Sequence, residues 1–209
     1  MTRAIAYRLR RAWRDETGAA AFEFAIVASL MLFLFFVLLD FGRMAYSQVM
    51  AEQAAHLAAR TAVVRPAACA GVPEFHARGG ISPAPRFGTA CSAAAGTCAN
   101  VGTISCAGSA GNATASEIWT AVQPWLPPGT QISDINFTYA FDQNLGFLGG
   151  PYTPMVTVDF DLPDFQFISP IGALALAAGA SVAPVGTSKT WADFSVSLPA
   201  EDLAQGEDG

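Results

Sequence analysis

Four sets of side chains in this 209-residue chain are of types and spacings that can do chemistry. The first is a single carboxylate, Glu23, followed after Phe24 by a long uncharged apolar run. A carboxylate in hydrocarbon costs roughly 2.5–3.5 kcal/mol at mid-bilayer and less near an interface, so Glu23 calls for a cation, a partner or access to water. The second set is Cys69, Cys91, Cys98 and Cys106, an even number confined to one stretch rich in Gly, Ala and Ser. That pattern fits disulfides in an oxidising compartment, with three pairings open. A zinc site is the rival, but no Cys-x-x-Cys spacing occurs and the two histidines, His56 and His76, are poorly placed for it, so no metal is expected. The histidines form the third set. His56 falls on an alanine-rich helical face, where packing is the commoner role, and His76 sits near Arg78 with no carboxylate in register. The fourth set is Asp159, Asp161 and Asp164. Alternate strand residues of this kind usually make a solvated face, and calcium needs more oxygen ligands than these supply. With no P-loop, nucleophile elbow or Gly-rich nucleotide loop, neither catalytic residues nor a cofactor are expected.

Glu23 must be positioned by the apolar run itself. Ala25–Leu39 carries no charge, and extending it back to Ala19 gives 21 residues, enough to cross a hydrocarbon core of about 30 Å. Five arginines precede Gly18 (Arg3, Arg8, Arg10, Arg11 and Arg14), whereas from Met44 onward five basic residues face thirteen acidic ones. The positive-inside rule then puts the N-terminus in the cytoplasm and the remainder outside. An outer part this acidic repels phosphate backbones, which excludes nucleic acid as a partner and leaves the lipid bilayer. A cleaved secretory signal is the competitor, but the best later cleavage candidate, Ala45-Tyr46-Ser47, is weak, so a retained helix is expected. Nothing stops that helix at the membrane surface. No proline occurs from Arg43 to Val64, and Met44, Ala51, Ala55, Ala58 and Ala62 recur on one helical face, with Met50, Ala54, Leu57 and Val64 beside it. Pro66 disfavours helix at Arg65 and ends the run. A helix from Ala19 to Val64 would measure on the order of 70 Å.

A basic leader, then Gly18-Ala19-Ala20-Ala21-Phe22-Glu23-Phe24 and a long apolar helix, has the layout of a type IV prepilin. More narrowly, Thr17 to about Arg60 resembles the TadE-like family of tight-adherence (Tad/Flp) pilus systems. The residues carrying the match are Gly18–Phe24, the apolar run, Asp40-Phe41-Gly42-Arg43, and the alanine-rich helix ending Ala58-Ala59-Arg60. The resemblance implies cleavage by a prepilin peptidase between Gly18 and Ala19. The new ammonium on Ala19 would pair with Glu23 of a neighbouring subunit, relieving two desolvation costs as helices bundle. Flp-type prepilins carry tyrosine where this chain has Phe24, and they are much shorter. The resemblance therefore implies a minor pilin or pseudopilin, with other Tad minor pilins, pilus subunits and an inner-membrane assembly platform as partners. The alternative is an unprocessed, membrane-anchored periplasmic scaffold or binding module.

Five segments follow: a basic leader (1–18), the spine helix (19–65), a cysteine-containing Gly/Ala-rich loop region (66–115), a short helix with antiparallel sheet (116–200), and an acidic, disordered tail (201–209). Ala115–Leu126 has the pattern of a helix capped by Ser116, with Pro124 late in it. Gln131–Phe141 and Met155–Leu162 alternate as strands, joined as a hairpin through a wide loop containing Gly146, Gly149, Gly150, Pro151 and Pro154. Gly179–Val185 and Ser188–Leu198 are weaker strands. Leu162–Leu176 reads as core and connector, with a partner-binding patch as the alternative. Asn112 and Asn136 match the glycosylation sequon by chance. The expected class is α+β: a long N-terminal membrane-spanning helix continuing into a pilin-like domain with a small antiparallel sheet.

Overall fold

A computed structural model describes residues 18–177, 179, 188–191, 193–201 and 203. The basic leader up to residue 17 lies outside these, as do most of the expected strand Gly179–Val185 and of the acidic tail. The architecture is α+β, with one long apolar helix at the N-terminal end followed by a small antiparallel sheet.

Helix α1 runs Ala19–Val64, 46 residues, from the first residue after Gly18 to two residues before Pro66. Two of its hydroxyls return to the helix's own carbonyls: Ser29 Oγ donates to Ala25 O at 2.7 Å, and Thr61 Oγ1 to Leu57 O at 3.0 Å. Such bonds satisfy a hydroxyl where no water competes. Chain contacts divide the protein into two units. One comprises the chain up to Arg43 with Gln166–Ser188, the other Met44–Phe165 with the chain from Lys189.

In the second unit, strands β1 (Thr103–Ala107), β2 (Ile135–Ala140), β3 (Met155–Phe160) and β6 (Phe194–Pro199) form an antiparallel sheet in the order β1-β2-β3-β6. Strands β4 (Phe165–Gln166) and β5 (Ser188–Lys189) make a separate two-stranded pair. The alternation expected of β2 and β3 is present: Ile135, Phe137, Tyr139, Val156, Val158 and Phe160 point into the core. Their outward neighbours pair across strands, Asn136 Nδ2 to Asp159 Oδ2 at 3.1 Å and Thr157 Oγ1 with Ser197 Oγ at 2.7 Å. Against the inward set lies the outer half of α1, where Ala51, Ala54, Ala55, Ala58, Ala59 and Ala62 are fully buried. Alanine lets the helix backbone approach the aromatic face of the sheet closely while costing no side-chain entropy.

Three local expectations change. Strand β1 lies in the stretch expected to be loop; its inward side chains are only Ile104 and Cys106, too weak an alternation to announce a strand. Helix α2 spans Ala113–Val122 and is capped by Asn112, whose Oδ1 accepts from Ala115 N at 2.9 Å, so Ser116 is interior rather than the cap. Pro124 falls in a following 3-10 turn, Gln123–Trp125, because it has no N–H to continue an α-helix. Finally, the tail does not leave the domain at Glu201. Glu201 N donates to Val63 O at 3.1 Å, and Leu203 is fully buried.

Of the three pairings open to the cysteines, the fold selects Cys69–Cys106 and Cys91–Cys98. The first ties the segment leaving α1 to edge strand β1. The second sits in a separate small core with Leu148, beside Phe141. The surrounding loops close on backbone contacts. A Cβ on Gly79 would lie 1.9 Å from the carbonyl oxygen of Gly96, so only glycine fits there.

Candidate functional site: the N-terminal helix and its outer end

Gly18 precedes α1 and Ala19 is its first residue. Nothing among the described residues lies within 4 Å of where a Cβ on Gly18 would be, so packing here gives no reason for glycine. One turn later Glu23 is exposed, with no hydrogen-bond partner among the described residues. Phe24 is exposed beside it, at 73%. Beyond them the apolar half shows large side chains on every side, among them Phe22, Ile26, Val27, Leu30, Leu34 and Leu38. The helix is long and apolar enough to cross a membrane, and none of its most apolar window is buried among the described residues. The geometry leaves Glu23 about 6 Å along the axis from Ala19, shallow in any bilayer that starts at the helix end.

The apolar run ends in Asp40, only 1% exposed. Its Oδ2 accepts from the backbone N–H groups of Ile168 at 3.0 Å and Ser169 at 2.6 Å, and its Oδ1 accepts from Arg43 Nη1 at 3.1 Å. The rings of Phe41 and Phe167 meet edge to face with centroids 6.0 Å apart. Asp40-Phe41-Gly42-Arg43 is thus a clasp, which holds the start of helix α3 (Ile171–Ala177) to α1 through main-chain hydrogen bonds and an aromatic pair. Sequence reasoning noticed these residues as a pattern but missed Asp40 as a binding group, because its acceptors' partners lie 128 and 129 residues away. The available signal was an acid placed directly after an uncharged run with arginine three residues on.

The other chemical candidates are not assembled for reaction. His76 Nε2 lies 3.1 Å from Thr153 Oγ1 and 3.2 Å from Thr153 N, with the ring packed on Tyr152 and Phe141. Burial pushes its pKa down, favouring the neutral ring. The Sγ atoms of Cys91 and Cys98 come within 4.8 Å of His76, but they are bonded to each other and so are not thiolate ligands. His56, Glu52, Asp193 and Ser195 line one shallow cleft of about 370 Å³. Those types suit nucleophilic catalysis, yet no hydrogen bond joins Ser195 to His56 or His56 to a carboxylate among the described residues, as an activated nucleophile requires. Asp159, Asp161 and Asp193 line a neighbouring cleft open to solvent. Both sequon asparagines are engaged, Asn112 as a helix cap and Asn136 with Asp159.

Residues 18–60 match the family model described as TadE-like protein, a stretch that runs from Gly18 through most of α1. No curated protein and no solved structure matches the chain.

Proposed function

We propose that this chain is a pilin-like structural or assembly subunit of a Tad (Flp) pilus, processed after Gly18 and packed by α1 into the pilus or its initiation complex. One observation carries the reading. The TadE-like segment begins at the glycine that immediately precedes a helix whose first half is apolar and exposed, with a lone carboxylate one turn in. A prepilin peptidase would cut between Gly18 and Ala19, at the step from the basic leader into the apolar helix. The freed ammonium and Glu23 of neighbouring subunits would then neutralise one another inside the bundle, and that pairing would set the axial register of the helices. Phe24 would pack at the same level. The chain works in this reading as a structural partner, not an enzyme. It is anchored by one pass through the inner membrane, with its N-terminus cytoplasmic, its sheet domain periplasmic, and other Tad minor pilins, pilus subunits and the assembly platform as its contacts.

The test is intact mass and N-terminal sequencing of membrane-extracted protein from cells with and without the prepilin peptidase. A start at Ala19 only when the peptidase is present is the expected result. A start at Met1 in both overturns processing and leaves an anchored scaffold in its place. With processing established, Glu23→Ala should remain in the membrane but cease to co-purify with pilus components; undiminished co-purification would remove the registry role.

A further inference from the structure

The segment clasped by Asp40 has an unusual surface. From Phe165 to Ser188 the sequence contains 24 residues and no charge. Lack of charge alone does not single it out, since 87–116 is also uncharged, but that stretch is built mainly of small and polar residues. In Phe167–Ala177 the exposed residues include three large aliphatic ones, Ile168 at 72%, Leu174 at 50% and Leu176 at 64%, beside exposed Pro170, Ala173 and Ala177. Ser169 beside them is buried, with its N–H on Asp40. Three such side chains within nine residues, with no charged neighbour in the segment, form a surface that water does not favour.

The depth at which this surface is held follows from the helix. The 21 residues Ala19–Leu39 rise about 31 Å, close to the hydrocarbon thickness of a bilayer. Asp40 therefore falls at the outer boundary when Ala19 sits at the inner one. The N–H groups of Ile168 and Ser169 are fixed at that same level by 3.0 and 2.6 Å hydrogen bonds. Phe167, Ile168 and Ser169 meet α1 at Asp40 and Phe41, and the segment that leads from them into α3 belongs to one compact unit with the lipid-length part of α1. A short, uncharged, aliphatic helix at this depth meets the chemistry of the glycerol and upper acyl-chain region.

We propose that Phe167–Ala177 is a second membrane element, seated in the outer-leaflet interface next to α1 and clipped to it by Asp40. Its partner is phospholipid. The inference rests on α1 crossing the bilayer but not on processing or on assembly into a pilus. Its function is to fix the depth and tilt of α1 at the point where the helix leaves the membrane, which a single helix does not do alone.

The experiment uses the full chain in nanodiscs of phosphatidylethanolamine and phosphatidylglycerol, where both faces meet solvent. All four native cysteines are in disulfides, so an introduced thiol takes a fluorophore selectively. Labels are placed at Leu174→Cys and Leu176→Cys, at Leu34→Cys as the lipid reference, and at Gln143→Cys in the exposed loop as the water reference. Leu174 and Leu176 labels are expected to be quenched by lipid carrying a shallow spin label and to be at least about threefold less accessible to iodide than the Gln143 label. Iodide access equal to that of Gln143 overturns the proposal. Shielding from both quenchers also overturns it, since a protein then covers the surface. A Leu34 label that lipid does not quench removes the membrane reading of α1 and this inference together.

Discussion

Within the unit that holds the sheet, two regions keep their side chains in place by different means. In the first, six buried alanines of α1 face Phe137, Tyr139, Val156 and Val158, and nearly every contact follows from two periodicities, 3.6 on the helix and 2 on the strands. In the second, around Cys91, Cys98 and Leu148, no regular element longer than a 3-10 turn contributes. There the chain is held by single bridges, Phe75 with Pro151, Arg78 with Cys98 and Ala90 with Phe147, by a disulfide, and by His76 buried against Tyr152. The difference teaches where stability resides. A periodic core shares its load over many apolar contacts, whereas the loop core depends on a few specific atoms, each of which has no substitute.

The comparison is broken most directly at Phe137, fully buried at the centre of the sheet. Phe137→Ala is expected to cost about 3–5 kcal/mol through lost burial and the cavity left behind. It should lower the denaturant midpoint for the whole unit, with amides of β2, β3 and the outer half of α1 losing hydrogen-exchange protection together. Protection lost in β2 alone would mean that the alanine face and the sheet are not one cooperative core. A smaller effect is expected from Cys91→Ala with Cys98→Ala. Opening an eight-residue loop releases roughly 2–3 kcal/mol of chain entropy by the loop-closure relation. Exchange should rise at the backbone bonds of the loop core, such as Leu148 N to Thr89 O and His76 N to Gly150 O, while strand amides stay protected. Equal loss in both regions would contradict the division.

The same contrast explains what was legible beforehand. Helix α1 was readable from its first residue to its last, because an uncharged run, an alanine stripe and Pro66 each mark a boundary. Strands β2 and β3 were readable because one face of each is buried. Strand β1 was not: as an edge strand it shows exposed Thr103, Ser105 and Ala107 on one side and only Ile104 and Cys106 on the other. The cap of α2 was displaced by four residues, since Asn112 and Ser116 are both good cap residues and tertiary context decides between them. Disulfide pairing and the partners of Asp40 are long-range facts that no local pattern encodes. At the candidate site, the roles proposed for Gly18, Ala19, Glu23 and Phe24 rest on their order along the chain. The clasp at Asp40 could not, because its significance appears only when Ile168 and Ser169 arrive.

The finest probe of the loop core is pH. His76 is 2% exposed, and burial holds its pKa below the ordinary histidine value of 6.5. In the unfolded chain the ring returns to that ordinary value, so near and below pH 6.5 the unfolded state binds more protons than the folded one. Stability associated with His76 is therefore fully present above pH 6.5 and declines as pH falls from there toward the depressed folded value. Carboxylates elsewhere also respond to acid, so the informative quantity is a difference in slope. Between pH 7.5 and pH 5 the His76→Gln protein should lose less stability than the parent, although glutamine at pH 7.5 starts lower because it replaces an acceptor for Thr153 N and a ring that packs on Tyr152. Denaturant unfolding of both proteins across this range supplies the measurement. Parallel curves would mean that His76 stays solvated enough to titrate normally in the folded chain, and the loop core would then be a wetter, looser assembly than its side-chain packing implies.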